Sequence, residues 1–131
     1  MLKVFVYGTL KPGECNYNKY CAGKVVDAVD AIAFGKLFSL PMGYPAMALG
    51  NSSVRGYLLA FADSQVLTDL DELEDYHPIR AESDNLYNRQ QIEVHDLQGH
   101  SLGWAWVYLM KEELATQLGG IFLPDGWWSE L

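Results

Sequence analysis

Leu2-Lys3-Val4-Phe5-Val6-Tyr7-Gly8-Thr9-Leu10 opens on a run of β-formers that stops at a glycine. Residues 2–7 read as a buried first strand, because apolar side chains fill nearly every position and Gly8 breaks the run. A strand ending in glycine can turn successive backbone N–H groups toward one point, which makes a nest for an anion. A carboxylate or a developing oxyanion could sit against Tyr7-Gly8-Thr9-Leu10. An ordinary strand-to-loop turn would carry the same residues, so this segment alone leaves both readings open.

Beyond it, Lys11-Pro12-Gly13 reads as a loop, and Asn16 to Ala22 as a short helix stopped by Gly23. Val25 to Leu40 is rich in β-branched residues and reads as strand with a bend near Gly35, although Ala28 to Ala33 has helical propensity. Pro41 to Asn51 reads as a loop and Val54 to Phe61 as a strand. Asp63 or Ser64 then caps a helix running to about Asp75, which Pro78 prevents from continuing. Residues 87–95 and 101–110 form a hairpin about Gln98-Gly99. Lys111 to Leu118 is a short helix ending at Gly119, and the tail Pro124-Asp125-Gly126-Trp127-Trp128 is aromatic. Strands dominate, with two or three short helices. The expected class is α+β, a single domain over 1–131 built on a curled or closed mixed β-sheet, a small barrel.

Composition narrows the function. The chain has 131 residues, 50% of them hydrophobic and 20% charged, enough for a core without disulfides or metal. Its net charge of -8 disfavours nucleic acid and an anionic membrane surface as partners. No apolar stretch approaches the ~20 residues of a membrane span, and the N-terminal run is too short for a signal peptide. Cys15 and Cys21 lack metal-ligand spacing, as do His77, His95 and His100, so no metal and no cofactor are expected. Reduced thiols and a cytoplasmic location follow as expectations. Nothing in the residues sets an oligomeric state.

The helix after Asp63 carries an anomaly. With Leu70 at zero and ~100° per residue, Val66, Leu67 and Leu73 fall within about 60° of it. Glu74 falls at about 40°, inside the apolar arc, whereas Asp71, Glu72 and Asp75 lie at roughly 100° or more. Glu74 is therefore the acid aimed inward. Desolvation raises a carboxyl pKa, which suits proton transfer near neutral pH. Two bland alternatives stand beside this: an ion pair with Arg89, Arg80 or Arg55, and fraying of the helix end toward solvent.

The same residues resemble a known family. Val4-Phe5-Val6-Tyr7-Gly8-Thr9-Leu10, with Asn16 after it, is similar to the N-terminal signature of the γ-glutamylcyclotransferase-like superfamily, which includes AIG2-like and γ-glutamylamine cyclotransferase branches. Leu70-Asp71-Glu72-Leu73-Glu74-Asp75 resembles its LDxxEG motif, whose Glu is catalytic and maps onto Glu74. Tyr87-Asn88-Arg89 resembles the Y-x-R that follows, Val54-Arg55-Gly56-Tyr57-Leu58 the strand before the helix, Gly43-Tyr44-Pro45-Ala46 the Y/F-P-A segment, and Gly126-Trp127 a terminal GDW-like element. Three positions depart: Asp75 replaces a glycine, Tyr57 stands where an acid is common, and no Asp separates Gly126 from Trp127.

The resemblance implies a γ-glutamylcyclotransferase-like fold and a 5-oxoproline-forming reaction on a small γ-glutamyl amine, amino acid or peptide. The substrate's own amine would be the nucleophile, Glu74 would move the proton, and the Gly8, Thr9 and Leu10 N–H groups would hold the carboxylate or oxyanion. Tyr7 and Tyr87 could line the pocket or serve as core aromatics; Arg89 reads as structural. The competing function is a binding or regulatory module that keeps the fold and takes a small ligand without turnover.

Overall fold

The computed structural model describes residues 1–129. Its elements are β1 (Leu2–Val6), α1 (Tyr17–Tyr20), β2 (Val25–Ser39), β3 (Pro45–Phe61), α2 (Val66–Leu73), β4 (Asn88–His95), β5 (Ser101–Leu109), α3 (Glu112–Gln117) and β6 (Ile121–Phe122), with a 3-10 turn at Glu82–Asp84. The six strands form one mixed sheet in the order β3-β1-β5-β4-β2-β6, and a further β2–β3 pairing closes five of them into a ring.

The ring is uneven. β2 and β3 pair antiparallel along almost their whole length, from Val25 opposite Phe61 to Ser39 opposite Pro45. The parallel β1–β5 link rests on Val4 opposite Trp106, and the β2–β4 link on Ile32 opposite His95. From Val4 to Val6 β1 is buried on both faces, which is why this stretch reads as a continuous apolar run. Phe5 and Tyr7 join residues from all five ring strands, among them Ala33, Val54, Val94 and Val107. Val4 and Val6 face the other way, into a cluster that includes Val66 and Leu70 of α2. Each such burial contributes about 1.5–3 kcal/mol before entropy is counted.

Two expectations need correction. Pro41 to Asn51 is not a loop throughout, because β3 already begins at Pro45. Ala46, Met47 and Ala48 have weak strand propensity, yet they are buried and paired with Phe38, Leu37 and Lys36. The long partner strand overrides local preference, and Pro45 takes the first strand position, where its missing N–H costs least. The bend expected near Gly35 is a register shift: Gly35 pairs with Ser52 and Lys36 with Ala48. A Cβ on Gly35 would come within 2.6 Å of the Ala48 carbonyl oxygen. The second correction is α2, which spans Val66–Leu73 and stops short of Glu74 and Asp75.

Candidate active site

α2 ends in a Schellman turn. The Tyr76 N–H donates to the Asp71 carbonyl (2.9 Å) and the Asp75 N–H to the Glu72 carbonyl (3.2 Å). The residue after the cap must then enter the left-handed region, and Asp75 does so at φ 52°. Glycine is the usual occupant there; Asp is among the few other residues that tolerate it. The departure at Asp75 therefore preserves the helix end. Asp75 Oδ1 lies 3.5 Å from both Arg80 Nη2 and His77 Nε2, on the exposed side of the turn.

Glu74, the C-cap, donates its N–H to the Leu70 carbonyl (3.0 Å) and keeps the inward direction given by the helical period. It does not fray outward. Its side chain lines a cavity of about 330 Å³ together with Tyr7, Gly8, Thr9, Leu10 and Tyr87. All six residues singled out in the sequence thus meet on one cavity. Burial pushes the Glu74 carboxyl up to about 7. Among the described residues no basic group lies within ion-pair distance of it: Arg89 pairs with Asp71, Arg80 with Asp75, and Arg55 lies over the Trp127 ring.

The loop opposite Glu74 is held from three sides. The Lys11 N–H closes a turn onto the Gly8 carbonyl (3.0 Å). Asn16 donates through its N–H to the Thr9 carbonyl (2.9 Å) and through Nδ2 to Thr9 Oγ1 (2.9 Å). Gly8 packs on Pro45 so closely that a Cβ would sit 2.7 Å from Pro45 Cγ. The glycine is thus required by close approach, since its φ is not positive. Among the described residues the N–H groups of Gly8, Thr9 and Leu10 have no acceptor.

The tyrosines wall the cavity with spent donors. Tyr7 OH donates to the Tyr108 carbonyl (2.6 Å) and Tyr87 OH to the Pro45 carbonyl (2.7 Å). Burial, with Glu74 nearby, raises both phenol pKa values far above neutral. Tyr7 and Tyr87 are therefore core and pocket wall together.

Sequence reading missed Asp71. The helical wheel sets it outside the apolar arc, yet its carboxylate accepts from Arg89 Nη1 (2.6 Å) and Tyr108 OH (2.7 Å) and is mostly buried. An acid at the edge of an apolar arc can reach sideways to neighbouring strands, which a wheel of one helix does not contain. The cavity also takes in Cys15, Tyr44 and Tyr108. Tyr44 and Asn16 stood inside segments noted for other reasons; Cys15 and Tyr108 carried no local signal. Neither cysteine is in a disulfide. Burial pushes the Cys21 thiol up to about 11. Among the described residues no cluster of His, Cys, Asp or Glu could hold a metal ion, and no helix is long and apolar enough to cross a membrane.

A family described as gamma-glutamyl cyclotransferase, AIG2-like, matches residues 4–130. The chain belongs to that family. The gamma-L-glutamyl-butirosin B gamma-glutamyl cyclotransferase of Niallia circulans is 34% identical over 117 residues, covering 89% of this chain and 73% of the relative. An AIG2-like protein of Mus musculus has the same fold at a TM-score of 0.66, with 23% identity over 98% of this chain and 88% of its own. Protein ytfP of Escherichia coli matches at a TM-score of 0.63, with 25% identity over 97% of this chain and 96% of its own. This is a γ-glutamyl cyclotransferase-like enzyme, as the motif resemblance implied, and the mixed ring with a few short helices is the AIG2-like fold.

Proposed function

We propose that the cavity between Glu74 and the Gly8–Leu10 amides cyclises a γ-glutamyl amine to 5-oxoproline and free amine. The observation that carries this is the meeting, on one cavity, of a desolvated carboxyl that titrates near neutrality with a row of amides that have no acceptor among the described residues. Among the described residues no Lys, Arg or His lines the cavity. A substrate α-carboxylate there has the Gly8, Thr9 and Leu10 N–H groups as its donors.

The α-amine nitrogen attacks the γ-carbonyl carbon, and Glu74 accepts the proton that this nitrogen sheds. The C–N bond to the leaving amine breaks as Glu74 returns a proton to that nitrogen, so carboxylate and charge are both restored. The rigid tyrosine wall holds the flexible glutamyl chain folded for ring closure, which replaces entropy otherwise lost at the transition state.

The cavity favours one class of leaving group. Among the described residues its charged lining is Glu74 and Asp75. A leaving amino acid would bring a second carboxylate with no cation to meet it, whereas a neutral or cationic amine would not. The N. circulans relative is named for γ-L-glutamyl-butirosin B, and the shared γ-glutamyl head is the part this cavity would take. The test is 5-oxoproline release from a matched pair, γ-glutamyl-ethylamine and γ-glutamyl-alanine. Faster release from the ethylamide is expected. Faster release from the amino-acid conjugate would overturn the preference, and none from any γ-glutamyl compound would overturn the reaction.

A further inference from the structure

Lys11 is 1% exposed, an unusual position for a lysine. Its Nζ donates to the Trp128 carbonyl and lies 3.3 Å from the Trp127 ring centroid. Burial pushes its pKa down to about 8, Glu14 opposes that shift, and Arg55 adds to it. A lysine is not held this way by hydrophobic burial, since its ammonium must be met by a carbonyl and an aromatic face.

The partner segment is itself fixed. The Arg55 N–H donates to the Gly126 carbonyl (2.8 Å), and Gly126, at φ 69°, lies so close to β3 that a Cβ would come within 2.0 Å of the Ser53 carbonyl oxygen. The Trp127 ring meets Tyr57 edge-on at 6.4 Å, and Trp128 belongs to the buried cluster that includes Phe5 and Tyr7. The other end of Lys11 closes the Gly8–Lys11 turn. One side chain therefore joins the aromatic tail to the loop that carries the acceptor-free amides.

We propose that the Trp127-Trp128 tail, acting through Lys11, fixes the Gly8, Thr9 and Leu10 amides as substrate donors, which makes Lys11 a positioning residue for binding. This rests on the anion role given to those amides above. Lys11 does not line the cavity, so its effect on substrate passes through the loop.

The test compares wild type with Lys11→Met, Trp127→Leu and Trp127→Phe on a γ-glutamyl amine, together with ¹⁵N relaxation of the loop amides. Lys11→Met and Trp127→Leu should each raise KM about tenfold with kcat within about twofold, the pattern of lost uniform binding. The order parameters of Gly8, Thr9 and Leu10 should fall well below the ~0.85 of rigid backbone, while β4 and β5 stay unchanged. Trp127→Phe, which keeps an aromatic face, should remain near wild type. A KM unchanged in Lys11→Met, or raised with the loop still rigid, overturns the proposal. If wild type releases no 5-oxoproline, the reaction reading fails and loop order alone decides the clamp: loss of order supports it and retained order overturns it.

Discussion

Arg89 gives its guanidinium to Asp71, with Nη1 2.6 Å from Oδ2, and among the described residues no cation pairs with Glu74. The same guanidinium lies over the rings of Tyr76 and Trp106, at 5.2 and 4.7 Å. Asp71 also accepts from Tyr108 OH, so one acid of α2 is neutralised by β4 and β5 and its neighbour three residues on is not. The two carboxylates are separated in role by their partners.

Removing one member of the Asp71–Arg89 pair should be costly. Asp71→Ala leaves Arg89 mostly buried, with a Nε that already lacks an acceptor among the described residues. A loss of about 3–5 kcal/mol is expected, and Asp71→Leu with Arg89→Met should recover part of it, because an apolar pair restores packing without a stranded charge. Urea denaturation of the singles and the double checks this; additive losses would show that the pair is not a unit.

Glu74→Gln should lower turnover roughly 10²- to 10⁴-fold, since the amide keeps the shape but cannot carry the proton. Stability should hold or rise, because no partner is stranded. The pH dependence follows from a folded pKa raised from 4.5 to about 7. Between those values the folded state holds a proton that the unfolded state has lost, so wild-type stability falls as pH rises from about 4.5 to about 7 and the penalty is constant above. The stability gap between Glu74→Gln and wild type should widen across that window, as read by melting temperature. Wild-type activity should rise through pH of about 7 as Glu74 becomes the free base. A variant that melts much earlier than wild type would contradict an unpaired Glu74.

Gly8→Ala should harm binding more than folding. The added Cβ meets the Pro45 ring at 2.7 and 2.9 Å, and a proline ring yields little, so the loop must shift. Over-packing of this kind costs about 1–3 kcal/mol. A rise in KM of about tenfold or more is expected if the amides bind substrate. Steady-state kinetics beside a thermal melt would detect the opposite, a lower melting temperature with KM untouched.

Asp75→Gly should be tolerated within about 1 kcal/mol, with kcat within about twofold, because glycine occupies the left-handed region without strain. Asp75→Val should cost about 1–2 kcal/mol more than Asp75→Gly, since a β-branched residue at φ 52° clashes with its own carbonyl. It should also lower kcat, as the turn sets the direction of Glu74. Equal stability of the two variants in chemical denaturation would refute the backbone argument.

Cys15→Ser should leave turnover unchanged although Cys15 lines the cavity, because the proposed reaction takes the substrate amine as its nucleophile. Cys21, fully buried, should be changed to Ala rather than Ser to avoid an unsatisfied hydroxyl. Loss of 5-oxoproline release in a folded Cys15→Ser protein would indicate covalent catalysis through the thiol.

Periodicity along the chain was enough to place β1, the β4–β5 hairpin and the inward direction of Glu74. These depend on how a side chain leaves its own backbone, and the spacing of apolar residues reports that directly. The resemblance to the family motif implied one reaction for the loop and the acid, and the cavity brings Tyr7, Gly8, Thr9, Leu10, Glu74 and Tyr87 together. The left-handed turn at Asp75 could be anticipated only from the glycine the motif carries there.

Other features came from chain closure. Ala46 to Ala48 are strand because β2 runs alongside them, Gly8 is required because Pro45 arrives from a different strand, and Asp71 rather than Glu74 holds Arg89 because β4 passes that side of α2. Lys11 looks like a solvated loop lysine until the tail folds over it. Local sequence fixes the direction in which a group points. Which partner it meets, and so whether a carboxylate is paired or titrates near neutrality, depends on segments tens of residues away and is decided only when the ring closes.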